Sequence, residues 1–161
     1  MNYYLQALSS KYADFSSRSR RSEYWFFTLF SFLAAIILVM VDIALGTFSY
    51  EAEAGLLASI YVLLVLIPTL AVTVRRLHDI GKSGWAILKV YGGMFLTIVC
   101  ALFIDALYLA FYGLSVNVSL LTSGIMLGIV LALCIMFIVW LCTDSEPGHN
   151  RFGENPKNNS A

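Results

Sequence analysis

Six arginines, Arg18, Arg20, Arg21, Arg75, Arg76 and Arg151, carry the strongest chemical signal in the chain. A guanidinium is a planar fork of five donors that matches phosphate or carboxylate bidentately. Basic residues clustered beside a membrane gain about 1 kcal/mol each near an anionic leaflet. Their simplest use is to fix topology against generic headgroups; a sharper one is a pocket for a phosphate-bearing lipid or cytosolic anion. Salt bridges with Glu23, Asp79, Asp144 and Glu146 fit both uses. His78-Asp79 and His149 add two imidazoles beside a carboxylate, the ingredients of an acid–base pair. No nucleophile or oxyanion donor accompanies them, and neither HExxH spacing nor a cysteine pair supports a metal. His78 is therefore expected to be structural, hydrogen-bonded or paired with Asp79 near a helix end. Gly81-Lys82-Ser83 resembles the end of a phosphate-binding loop, but that motif needs a glycine where Arg76 stands and a strand before it. Gly81 and Gly84 are expected to supply left-handed or tight-turn angles instead. Neither an enzyme, a metal nor a cofactor is predicted.

The elements that must position these residues are membrane helices. Apolar residues make up 60% of 161 positions and charged ones 12%, half the usual charged share of about 25% in soluble domains. Four apolar blocks, 24–45, 54–74, 85–108 and 120–142, each have about the 20 residues that cross about 30 Å of hydrocarbon. Residues 143–161 form a tail, and the chain reads as a single membrane domain, 1–161. The first block starts too deep, runs too long and lacks the small-residue site of a cleaved signal.

Lys11, Arg18, Arg20 and Arg21 precede the first span, Arg75, Arg76 and Lys82 separate the second from the third, and Arg151 and Lys157 follow the fourth. The other two connections contain no Lys or Arg. Flanking basic residues stay on the cytoplasmic side, so both termini and the middle loop are expected there, with Lys89 snorkelling to the same face. Formal net charge is zero, which gives no argument for nucleic acid.

Residues 2–15 place Tyr4, Leu5, Leu8, Tyr12 and Phe15 at helical spacing, as in a short interfacial amphipathic helix. Asp42 and Asp105 fall near the outer ends of their spans, where interfacial solvation is expected. Pro68 is expected to kink the second span. Gly92-Gly93 and Gly124 with Gly128 suit close helix packing, while Cys100, Cys134 and Cys142 read as small apolar packing residues. The openings of the odd-numbered spans, Arg21-Ser-Glu-Tyr-Trp25 and Lys82-Ser-Gly-Trp85, hint at two related hairpins but are too short to establish a repeat.

A compact bundle is only about 20 to 25 Å wide, so the segment ending at Trp25, the loop Arg75 to Trp85 and the tail from Asp144 to Pro156 are expected to form one surface. With Phe15, Arg18, Arg21, Glu23, Tyr24 and Trp25, then Arg75 to Trp85, then Pro147-Gly148, Asn150-Arg151-Phe152-Gly153 and Pro156, the chain resembles the domain of unknown function 805 family, the YhaH/YhaI-like bacterial inner membrane proteins. It departs from that pattern at Ser17, Ala86 and Glu154, where Gly, Trp and Pro are common. The resemblance covers nearly the whole chain and implies architecture and a bacterial inner membrane location; the family carries no established activity to transfer.

The expectation is thus an all-α integral membrane four-helix bundle. Arg18, Arg21, Arg75, Arg76, Lys82 and Arg151 are candidates for binding anionic lipid or another ligand. Glu23, Trp25, His78, Asp79, Gly81, Gly84, Trp85, Asn150 and Phe152 are the structural cluster around them. Anionic lipid, a partner protein or a second copy of the chain are the expected partners. The alternative is a transporter or channel subunit working as an oligomer.

Overall fold

The computed structural model describes residues 2–113 and 116–157. In chain order it has a short helix α1 (Asn2–Leu8), α2 (Arg21–Leu45), strands β1 (Phe48–Ser49) and β2 (Ala54–Gly55), then α3 (Leu56–Asp79), α4 (Trp85–Tyr112) and α5 (Val116–Cys142). Helices α2 to α5 are each long and apolar enough to cross a membrane. Their flanks are covered in exposed Leu, Ile, Phe and Val, which suits a hydrocarbon solvent rather than water.

The helices overrun their apolar blocks. The largest difference is at α3, which continues through Arg75, Arg76, His78 and Asp79 instead of breaking into a loop after Val74. Hydropathy marks the thickness of hydrocarbon, whereas a helix persists as long as its backbone groups are satisfied and its charged side chains find partners. Basic groups in a last turn also face the negative end of the helix dipole. The connection to α4 is consequently only Ile80 to Gly84.

The chain divides into two compact units, Met1–Ser83 with Asp144–Ala161, and Gly84–Thr143. In the first unit α2 and α3 form a hairpin closed by the antiparallel ribbon, Phe48 opposite Gly55 and Ser49 opposite Ala54. Ala7, Phe27 and Val72 are its buried apolar centre, with Tyr4, Leu8 and Tyr24 packed around them. Helix α1 is shorter than the 2–15 pattern suggests, and its apolar face is divided. Tyr4 and Ala7 pack inward, while Leu5 stays exposed.

Pro68 lies inside α3 and is fully buried. Proline has no N–H, so the carbonyl of Leu64, four residues earlier, loses its helical donor. Tyr12 supplies one: its hydroxyl donates to Leu64 O at 2.7 Å. Tyr12→Phe is expected to lower stability by about 1 to 3 kcal/mol, read as a lower thermal midpoint in nanodiscs with an unchanged helical signal.

At the opposite end of the hairpin, Asp42 is fully buried rather than solvated as expected. Its Oδ1 accepts from Thr47 Oγ1 at 2.5 Å and Leu57 N at 3.0 Å, and its Oδ2 from Ala58 N at 2.9 Å. A side chain of α2 thus caps the first turn of α3, whose own cap position is Gly55 and provides no side-chain acceptor.

The second unit is the hairpin of α4 and α5. Thr122 Oγ1 donates to Asp105 Oδ1 at 2.7 Å, so this carboxylate too has a protein partner. Tyr91 meets Phe137 edge-on with centroids 6.0 Å apart. Of the expected packing glycines only Gly93 faces a neighbour, Leu133; Cβ atoms added at Gly92, Gly124 and Gly128 would enter open space. Cys100 and Cys142 are exposed rather than packed.

Candidate functional site

The polar residues of the first unit gather where α2 begins and α3 ends. The chain enters α2 along the end of α3, with Ser19 N donating to Arg75 O at 3.1 Å. This contact brings Arg18 and Glu23 against the last turn of α3, where Arg75, Arg76 and Asp79 are fully buried. Arg75 Nη1 donates to Glu23 Oε1 at 2.7 Å, and Lys11 Nζ lies 3.6 Å from the same oxygen. Asp79 is shared in the same way, its Oδ1 by Arg18 Nε at 3.1 Å and its Oδ2 by Arg76 Nη1 at 2.5 Å. Each interior carboxylate therefore serves two cations.

Arg18 also holds the tail. Its Nη1 donates to the carbonyls of Gly148 at 3.0 Å and Gly153 at 3.1 Å, and its Nη2 to those of Glu146 at 2.7 Å and Asp79 at 3.3 Å. With Nε on Asp79, all five of its N–H donors are used, the full capacity of a guanidinium. Further ties reinforce the same docking. Ser145 Oγ donates to Asp79 Oδ2, Glu146 N to Asp79 O at 2.9 Å, and Asn150 Nδ2 to His78 O at 3.0 Å. Both Nε and Nη2 of Arg20 donate to Pro156 O. The tail closes on itself through paired backbone bonds between Asn150 and Gly153.

Gly81 turns the chain beneath this segment. It adopts left-handed φ 72°, its N–H donates to His78 O at 3.1 Å, and Lys82 N donates to Leu77 O at 2.9 Å. These two bonds end α3 in a Schellman arrangement. A Cβ here would lie 2.7 Å from Glu146 Oε2, so glycine serves both the angle and the approach of the tail. Gly84 has ordinary helical angles at the start of α4; only one of the two expected turn glycines adopts a left-handed conformation.

His78 does not pair with Asp79, whose oxygens are taken by Arg18, Arg76 and Ser145. Its ring stacks on Phe152, 3.7 Å between centroids and 4° from parallel, with the Arg151 guanidinium 4.6 Å from the same Phe152 ring. An imidazole flattened against a phenyl ring beside a fully engaged carboxylate lacks the geometry of an acid–base dyad. Among the described residues no group of three or more His, Cys, Asp or Glu could hold a metal.

The sequence-predicted residues thus separate. Arg18, Glu23, Arg75, Arg76, His78, Asp79, Gly81, Asn150, Phe152 and Arg151 come together. Arg18, Arg75 and Arg76 lie in the interior with carboxylates rather than at a headgroup-facing surface. Arg21 and Arg151 are exposed and Lys82 half-buried. Trp25 is exposed outside the cluster, its ring edge-on to Tyr24 at 5.3 Å, and Gly84 and Trp85 belong to the second unit. Ser19 and Ser145 carry no spacing signal that would have found them, and Tyr12, read from its spacing as part of an amphipathic face, serves as a donor to Leu64 O.

A polar cleft of about 520 Å³ opens beside the cluster, lined by Tyr3, Lys11, Arg20, Glu23, Phe152 and Glu154 among others. Asp14, also on its wall, accepts from Ser16 and Ser17. Partial burial pushes its carboxyl up, but these bonds outweigh burial and hold it well below the usual carboxylate range. On the exposed side Asp144 is held low first by Lys157, which donates to it, then by Ser145 N, with Arg21 adding attraction at 3.3 Å.

The chain is similar over nearly its full length to two inner membrane proteins. The chain is 30% identical over 158 residues to inner membrane protein YhaI of Escherichia coli (strain K12), covering 98% of this chain and 97% of the relative. It is 32% identical over 157 residues to inner membrane protein YhaH of the same organism, covering 98% of each. No solved structure matches the chain. These relatives and the four apolar helices make it a multi-pass inner membrane protein. The family described as "Protein of unknown function (DUF805)" matches residues 12–154, from the segment that leads into Arg18 through the tail that Arg18 fastens, and the chain belongs to that family.

Proposed function

We propose that this is a non-enzymatic membrane protein with both termini in the cytoplasm, whose basic helix ends meet anionic lipid headgroups through an exposed rim. The interior arginines hold that rim in shape. The observation that carries this reading is the division of the basic residues. Arg18, Arg75 and Arg76 are sealed with carboxylates, whereas Arg21 and Lys157, each with 46% of its side chain exposed, both contact the exposed carboxylate of Asp144. Two exposed cations thus meet at one acid beside the first residue of a spanning helix, where anionic headgroups attract basic groups.

The transporter alternative finds less support, because, of the four scattered span hydroxyls, those of Thr69, Thr73 and Thr97 donate to carbonyls of their own helices, and Ser31 alone of these four is buried without a partner. Native mass spectrometry of protein extracted with its lipids tests the reading. The double substitution Arg21→Ala, Lys157→Ala is expected to reduce retained phosphatidylglycerol and cardiolipin several-fold and to remove the salt sensitivity of retention, with little loss of thermal stability. Unchanged retention would overturn it, as would reporter fusions that place either terminus in the periplasm.

A further inference from the structure

The interior of the cluster has more positive charge and more donors than its carboxylates can satisfy. Arg75 is fully buried, yet only its Nη1 has an acceptor; Nε and Nη2 are sealed with none. Ser19 Oγ is likewise buried without a partner, and Ser19 N on Arg75 O at 3.1 Å sets this residue against the same turn of α3. Buried donors on a charged group are costly unless an acceptor reaches them.

The charge count points the same way. The carboxylates buried among Arg18, Arg75 and Arg76 are Glu23 and Asp79; the exposed Asp144 also attracts Arg76 but is shared with Arg21 and Lys157, and Lys11 draws on Glu23. Three interior cations thus face two carboxylates, and an unbalanced buried charge is unstable without a counter-charge. A water would satisfy hydrogen bonds but leave this excess. A small anion answers both demands.

We propose that the cluster encloses a small inorganic anion of the halide class, bound by Arg75 Nε and Nη2 and by Ser19 Oγ. The single excess positive charge is balanced by one monovalent ion, whereas a phosphate would bring up to two negative charges into the interior. Complete enclosure of the donors excludes a headgroup tethered to its acyl chains. Arg18 is not part of the site, since its five donors are used. The anion is distinct from the lipid proposed at the exposed rim, and neither binding event requires the other.

The test uses the full chain in nanodiscs of phosphatidylcholine alone, with thermal unfolding followed in sodium bromide and in sodium gluconate at equal ionic strength. Bromide is expected to raise the midpoint in a saturable manner, and bromide-soaked crystals are expected to show an anomalous peak within hydrogen-bonding distance of Arg75 Nη2. Ser19→Ala retains the ion pairs and is expected to weaken the bromide dependence about fivefold, the equivalent of one hydrogen bond. The double variant Arg75→Gln, Glu23→Gln removes one charge of each sign and is expected to lose the bromide shift.

Coincident midpoints in the two salts would overturn the proposal, as would density at Arg75 without anomalous signal, which identifies water. A shift that needs phosphatidylglycerol and ignores bromide would assign the donors to a lipid phosphate and overturn it as well. If the double variant does not fold, an unaltered bromide titration in Ser19→Ala is sufficient to reject the site. Lipid retention is unaffected by any of these results, so this proposal and the rim reading fail separately.

Discussion

Arg18→Ala is expected to release the C-terminal tail and to lower stability by about 3 to 5 kcal/mol, the range for removing one partner of a buried ion pair. The substitution removes one donor each from four carbonyls and one carboxylate oxygen at once, although Asp79 O, Gly153 O and Glu146 O keep a second donor in Glu146 N, Asn150 N and Asn155 Nδ2. Asp79 would remain tied to Arg76 and Ser145, so the end of α3 keeps its shape while residues 144–157 lose their main fastening. Limited proteolysis should therefore cut the tail at least tenfold faster, well before the thermal transition. Arg18→Lys is expected to rescue little. An ammonium carries three donors at a point and cannot span acceptors that a planar fork reaches from three nitrogens. Equal protease resistance in wild type and Arg18→Ala would show that the tail is held by other means.

The second large effect is expected at the other end of the same hairpin. A Cβ added at Gly55 would lie 2.2 Å from Asp42 Oδ2, 2.5 Å from its Cγ and 2.7 Å from its Cβ. All three separations are shorter than real contacts, and the short aspartate side chain cannot swing aside without leaving Thr47, Leu57 and Ala58. Gly55→Ala therefore uncaps α3 and displaces a buried carboxylate. The expected cost is about 2 to 4 kcal/mol, combining a lost cap with overpacking. Hydrogen exchange should localise the damage to the first turn of α3, with the Arg18 cluster retaining its protection. A midpoint within a degree of wild type would sink the assignment of Asp42 as the cap.

Four spans and their order were legible because about 20 apolar residues per crossing leave a pattern that no soluble fold of this size can carry. Their ends were not, since Arg75 and Arg76 look like loop residues to hydropathy and are helical in fact. Charge counting identified which residues gather but could not tell interior from rim. The Arg76–Asp79 pair is separated by one helical turn and is visible in the sequence, whereas Glu23 and Arg75, 52 positions apart, become neighbours only after α2 and α3 pair. The acid at the far end of α2 was misjudged for a related reason. Depth along a span suggested solvation for Asp42, but depth says nothing of the neighbouring helix whose amide groups it meets. Pro68 announced an orphaned carbonyl at Leu64, although nothing in the spacing named Tyr12 as its donor.

Arg18 reaches acceptors 128 to 135 positions further along the chain. During synthesis it precedes the four spans α2 to α5, while the tail carbonyls that it holds follow the last of them. Asp79 can meet its charge once the first hairpin has formed, but the carbonyls of Glu146, Gly148 and Gly153 become available only after the fourth span. Closure of the cluster consequently requires that the fourth span has already been made.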